Sequence, residues 1–154
     1  MKTLANHADC SELLARIRAL APHAERRWGA MSVGQMVCHL NDSFGTGLGE
    51  RAPSPSRATW LTRTVHRWVG LHTALPWPKN APTGNAVTQG EGGGGTPPGA
   101  FDNDRASLEQ QVVRFAESGP ERRPAHPTLG PLTEAEWMRW GWVHPDHHLR
   151  QFGA

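Results

Sequence analysis

Near its C-terminus the chain runs Trp140-Gly141-Trp142-Val143-His144-Pro145-Asp146-His147-His148, which sets two histidines four residues apart. Four helical steps of about 100° overshoot a full turn by about 40°, so His144 and His148 share one face of a helix. Two imidazoles placed this way can reach one metal ion, because a neutral ring nitrogen is a common ligand. A chance pair, or a cluster of positive charge at a helix C-terminus, has the same spacing. His147 is rotated by about 60° from His144 and further from His148, which makes it the weaker ligand. A third ligand must come from elsewhere. His39, flanking an apolar stripe beside Met36 and Ser43, is the best placed; His66, His72 and His126 are its rivals.

The elements that must position these side chains are helical. Leu13, Leu14, Ile17, Leu20 and Ala21 recur at helical spacing and predict a helix over 11–21, capped by Asp9 or Ser11 and ended by Pro22. Ser32 and Gln35 form a capping box that opens a helix over 33–48, with Val33, Met36, Val37, Leu40 and Phe44 on one face. A third helix over 57–75 carries Leu61, Thr64, Val65, Trp68, Leu71 and Leu75 and stops at Pro76. A fourth spans 102–117, with Asp102 or Asn103 as cap and Leu108, Val112 and Phe115 as its stripe. Thr133 and Glu136 form a second capping box and open the last helix, where Trp137 and Trp140 share the face of the histidine pair. Pro145 lies inside that helix and its ring opposes the carbonyl of residue 141, so a kink or break near His144 is expected. Residues 76–100 hold five prolines and seven glycines and read as a long loop, either a flexible connector or a lid or contact surface. Its glycine run is not a phosphate-binding loop, because no Gly-Lys-Ser/Thr follows.

Composition narrows the class. The 154 residues suit one domain, 1–154, and no strand pattern competes with the helices. No apolar run approaches the roughly 18 residues of a membrane span, and the N-terminus lacks a signal-peptide core. Net charge is +2 with both signs interspersed, which argues against a nucleic-acid partner. Two cysteines, Cys10 and Cys38, are too few for a disulfide framework; both read as reduced, inert thiols in a cytoplasmic protein. Cys38 adjoins His39 but points about 100° away, so it is no ligand.

The block Val143 to Gln151 resembles the His-x-x-x-His-x-x-Gln signature of the DinB/YfiT-like metalloenzymes, and Met31 to Leu40 resembles the helix that supplies that family's first ligand. Trp77-Pro78-Lys79, Gly95-Thr96-Pro97-Pro98 and the His126-Pro127 to Gly130 segment resemble an uncharacterised bacterial branch of it. The resemblance covers about residues 28 to 152, departing at Gly34 and in a longer glycine run. It implies an all-α four-helix bundle, here with an added short helix and the long insertion loop. It also implies a metal held by His39, His144 and His148. Some relatives are transferases or isomerases that use low-molecular-weight thiols, and relatives are often dimers, so a small-molecule substrate, such a thiol and a homodimer are the implied partners.

Three neutral imidazoles leave a coordination position open, which is a catalytic rather than a structural pattern. Zinc or nickel is expected first, with iron and copper also suited to imidazole and manganese a further option. Such an ion lowers the pKa of bound water toward about 7 and binds a thiol as thiolate. The expected reaction is thiol-linked transfer or hydrolysis; the alternative is a bundle stapled by its metal, or a sensor. Asp42 and Asp146 are candidates to orient the rings, or are simply solvated. Arg150 either meets a substrate carboxylate or compensates the helix C-terminus.

Overall fold

The computed structural model describes residues 1–80 and 85–154, and among them the regular structure is helical, with no strand and one isolated bridge between His126 and Gly130. Five helices occur: α1 (His7–Arg18), α2 (Val33–Gly47), α3 (Arg67–His72), α4 (Phe101–Glu117) and α5 (Glu134–Gln151). A π-helical turn, Thr62–His66, leads into α3, and short 3-10 turns occur at Asn85–Val87 and Pro120–Arg122. No helix among the described residues is long and apolar enough to cross a membrane.

Both expected capping boxes form, Ser32 with Gln35 and Thr133 with Glu136, so the starts of α2 and α5 follow from local chemistry. The start of α1 does not match the expected caps. Asn6 caps it, accepting from the Asp9 N–H at 3.1 Å, because the chain turns helical at His7, four residues before the expected start at 11, and the helix ends at Arg18 rather than 21. Likewise α4 begins at Phe101 without a side-chain cap; Asp104 turns back instead to accept from the Gly99 N–H at 2.8 Å.

Helices α1, α2, α4 and α5 pack on one another around Leu13, Ile17, Met36, Leu40, Phe44, Leu108, Phe115 and Leu149, all fully buried. Each such side chain contributes about 1.5–3 kcal/mol by leaving water. Where α4 and α5 approach, Gly141 leaves room that a side chain would fill: a Cβ there would lie 2.6 Å from Leu4 Cδ1 and 3.0 Å from Phe115 Cε1. Gly141→Ala should therefore lower stability by about 1–3 kcal/mol, read as an earlier urea midpoint, although alanine is the better helix former by about 1 kcal/mol.

The third helix differs most from its expectation. It is shorter than 57–75, and Leu61, Val65, Trp68 and Leu75 of the expected inward stripe face outward, Trp68 and Leu75 each 61% exposed; only Leu71 is buried. Periodicity correctly groups these residues but cannot say which face meets the core. The face that does so carries Arg67, whose guanidinium bonds both oxygens of Glu136 on α5. Of the kink or break expected near His144, the break does not occur: α5 is continuous for 18 residues with Pro145 inside it. Proline removes one N–H from the ladder, and the residue opposite its ring is Gly141, which has no side chain; Pro145 is itself fully buried, and burying its ring offsets part of the single lost bond. Between His72 and Phe101 the 3-10 turn Asn85–Val87 is the one regular element among the described residues; residues 81–84 of the expected loop lie outside them.

Candidate metal centre

Helix α2 brings His39 to α5, where His144 and His148 share a face, and the three rings form a near-equilateral triangle. Their centroids are 5.2 Å (His39 to His144), 4.8 Å (His39 to His148) and 5.0 Å (His144 to His148) apart. One nitrogen from each lies within 4.8 Å of the others, and this is the only such ligand group among the described residues. The rivals lie elsewhere: His66 in the π turn, His72 on Glu136 and His126 in a turn before α5.

Two of the rings have their tautomer set by an acceptor behind them. His39 Nδ1–H donates to the Val87 carbonyl at 2.9 Å. His148 Nδ1–H donates to Gln151 Oε1 at 3.0 Å, while Gln151 Nε2 donates to the Trp28 carbonyl at 2.7 Å. Both rings therefore aim an Nε2 lone pair into the triangle. His39 Nε2 and His144 Nε2 are 3.2 Å apart. Two nitrogens bound to a tetrahedral ion at about 2.0–2.1 Å would sit roughly 3.3 Å apart, so the spacing fits a shared cation. Without one, a proton on His144 Nε2 must fill the gap, because the proton of His39 is on the other nitrogen. That leaves His144 Nδ1 buried without a partner among the described residues. The indole of Trp77 stacks on His144 at 5.8 Å and 23°.

All three rings are neutral at pH 7. Burial pushes the His39 pKa down, against the Val87 carbonyl and Asp42. Burial takes His144 well below its ordinary value, and the neighbouring His148 and His39 oppose its charge further. Burial and His39 bring His148 down to about 3. Neutral imidazole is the ligating form.

Asp42 is neither solvated nor in contact with a ring. It accepts from Thr96 N–H and O–H, each at 2.7 Å, and pairs with Arg51 at 3.1 Å; Arg51 in turn donates to the Ala86 carbonyl at 3.1 Å. Asp42 thus holds the loop whose Val87 carbonyl orients His39. Asp146 does not orient a ring: it pairs with Arg16 of α1 at 2.8 Å and with Arg150 at 3.0 Å, which accounts for Arg150 as well. Cys38 lies against Asp104 at 3.5 Å and is pushed up to about 12 by burial and that carboxylate. Both cysteines are free, and burial raises Cys10 too. Neither is a reactive thiol.

The triad lines a cleft of about 740 Å³, walled by Trp28, Val69, Trp77, Leu129, Trp137 and Trp140. Trp137 and Trp140 are each 3% exposed, so they serve core and cleft together. Sequence reasoning missed the orienting roles of Val87 and Gln151 and the stacking of Trp77. Only the Gln three residues after His148 carried a local signal, since that spacing places it on the same helical face. Gly29, at φ +77°, permits the approach: a Cβ there would overlap Gln151 Nε2. Gln151→Leu should weaken zinc binding about 10–100-fold in competition with a chelating dye, with little loss of helicity.

No curated protein and no solved structure matches the chain. A family model described as "Protein of unknown function (DUF1569)" matches residues 2–154, and the chain belongs to that family.

Proposed function

We propose that this chain is a divalent-metal enzyme acting on a small molecule, with His39, His144 and His148 as the ligands. The observation that carries the reading is that the three nitrogens meet at the wall of a large cleft, so an ion held by them is open to a substrate. The mutual packing of α1, α2, α4 and α5, with the triad carried by α2 and α5, supports a DinB/YfiT-like bundle. Free cysteines support a reducing compartment such as the cytoplasm.

A bound divalent ion, zinc or nickel first on ligand type, supplies Lewis acidity that activates water or a thiol near neutral pH. The chain's own residues do the rest. Val87 and Gln151 hold His39 and His148 with Nε2 forward, and the indole walls limit competing water. Hydrolysis and thiol-linked transfer share these requirements.

The experiment is turnover by protein stripped with chelator and reloaded with one metal at a time, offered neutral esters and amides, or electrophiles with a thiol. Turnover should appear on reloading and vanish in His39→Ala. Stoichiometric binding that raises melting temperature, with no class turned over, would instead establish a metal-stapled bundle.

A further inference from the structure

The cleft carries no formal charge on its described walls. Among the described residues six histidines line it, but no Asp, Glu, Lys or Arg does. An ion moved into such surroundings without a partner is heavily penalised. A thiol of the glutathione type, with two carboxylates and an ammonium group, would find no side-chain counter-charge on those walls, and a single bound ion could meet only one of its three charges. Large indole faces instead suit a flat apolar body.

One lining residue is built as a fixed hydrogen-bond donor. His126 begins the turn closed by its bridge to Gly130, and its Nδ1 accepts from the Thr128 N–H at 3.2 Å and the Leu129 N–H at 3.1 Å. A nitrogen that accepts twice carries no proton, so the proton is on Nε2. Two backbone donors at Nδ1 also oppose the charged ring, and burial brings His126 down to about 4. The ring is held against Trp137 at 5.8 Å and Trp140 at 5.7 Å. Its Nε2–H has no partner among the described residues, although the residue lines the same cleft as the triad. An unused, orientation-locked donor in an apolar cleft is the arrangement that recognises one acceptor atom on an otherwise apolar ligand.

We propose that the cleft binds an uncharged, apolar or aromatic carbonyl compound, with its oxygen accepting a hydrogen bond from His126 Nε2–H. This deepens the metal-enzyme reading and rests on it for the cleft being the substrate site. It selects neutral carbonyl substrates over charged thiol conjugates.

The test uses three probes of one shape: acetophenone, ethylbenzene, which lacks the carbonyl, and 4-acetylbenzoate, which adds a carboxylate. Each is titrated by ligand-observed NMR into full-length protein, zinc-loaded and chelator-stripped. Acetophenone should bind about three- to tenfold more tightly than ethylbenzene, the worth of one hydrogen bond. In stripped protein 4-acetylbenzoate should bind more weakly than acetophenone by at least about tenfold. His126→Asn keeps an acceptor near the Nδ1 position for the turn but has no atom at the Nε2 position, its shorter amide N–H stopping short of it, so it should erase the preference for acetophenone over ethylbenzene. Should that variant fail to fold, the imidazole nitrogen resonances of the native protein decide: acetophenone, and not ethylbenzene, should shift His126 Nε2. An unchanged preference in folded His126→Asn, an unmoved Nε2, or tighter binding of 4-acetylbenzoate than of acetophenone to stripped protein overturns the proposal. Elemental analysis of the same samples separates the two readings. His126-dependent binding with no metal retained removes the metal-enzyme reading alone; stoichiometric metal with no acetophenone binding removes this one alone.

Discussion

Full-length protein carrying His148→Ala or His39→Ala should lose tight metal binding, while the native protein retains about one ion per chain through dialysis. The three nitrogens already lie within 4.8 Å of one another, so the chain organises the site before an ion arrives. Partners that merely orient a ligand are worth about 10–100-fold in affinity, so loss of the ligand itself should reduce affinity on the order of 100-fold or more. The loss should be visible in stability too. An ion at 100 times its dissociation constant adds about 2.7 kcal/mol to the folded state, or roughly 5–10 °C in melting temperature for a chain of this size. Native protein should show that increment on addition of zinc, and neither variant should. His39 is 3% exposed, so its truncation also leaves a buried void. His39→Gln, which fills most of that space, separates the packing loss from the ligand loss. Stoichiometric, tightly held metal in both alanine variants would refute the assignment of the triad.

Glu136→Gln should lower stability by about 2–3 kcal/mol at pH 7, a fall of roughly 5–10 °C in melting temperature. Glu136 is 5% exposed and carries an unusual share of the structure. It completes the capping box of α5 by accepting from the Thr133 N–H at 2.8 Å and its hydroxyl at 2.7 Å. It also accepts from Arg67 and from His72 Nε2 at 3.0 Å, and so fastens α3 to α5. Burial alone would raise its pKa, but Arg67, His72 and Thr133 together hold it far below the ordinary glutamate value. A carboxylate depressed in the folded state contributes stability that is complete above its unfolded value and lost as pH falls through its folded value. Native protein should therefore lose stability steadily as pH drops below about 4.5, the ordinary value. Glu136→Gln, less stable throughout the neutral range, should show a shallower acid slope, so the two melting curves converge at low pH. Parallel pH profiles would show that the carboxylate's charge is not what holds α3 down.

These two results bracket what can be read locally and what cannot. The capping boxes at Ser32 and Thr133, the stripes of α2 and α4 and the pairing of His144 with His148 each depend on residues within one or two turns. The sequence by itself determined them, because helical periodicity and end chemistry act over that range. The same local reasoning allowed a break at Pro145 that does not occur, since it counts the lost hydrogen bond but not the burial of the ring. It also turned the wrong face of residues 60–72 inward, because amphipathic spacing groups side chains without naming their partner.

Tertiary structure decided the rest. Residue spacing left His39 one candidate among four, and only the packing of α2 and α5 sets its Nε2 3.2 Å from His144, 105 positions away. The parts that orient the rings are equally distant in the chain: Val87 behind His39, and the Trp28 carbonyl behind Gln151. A backbone carbonyl has no residue type, so no motif can announce Val87. The indole-walled cleft and the locked tautomer of His126 likewise arise from walls and turns that meet only on folding. Local periodicity fixes which side chains share a face; which faces meet, and which atoms then converge on one point, is set by long-range packing.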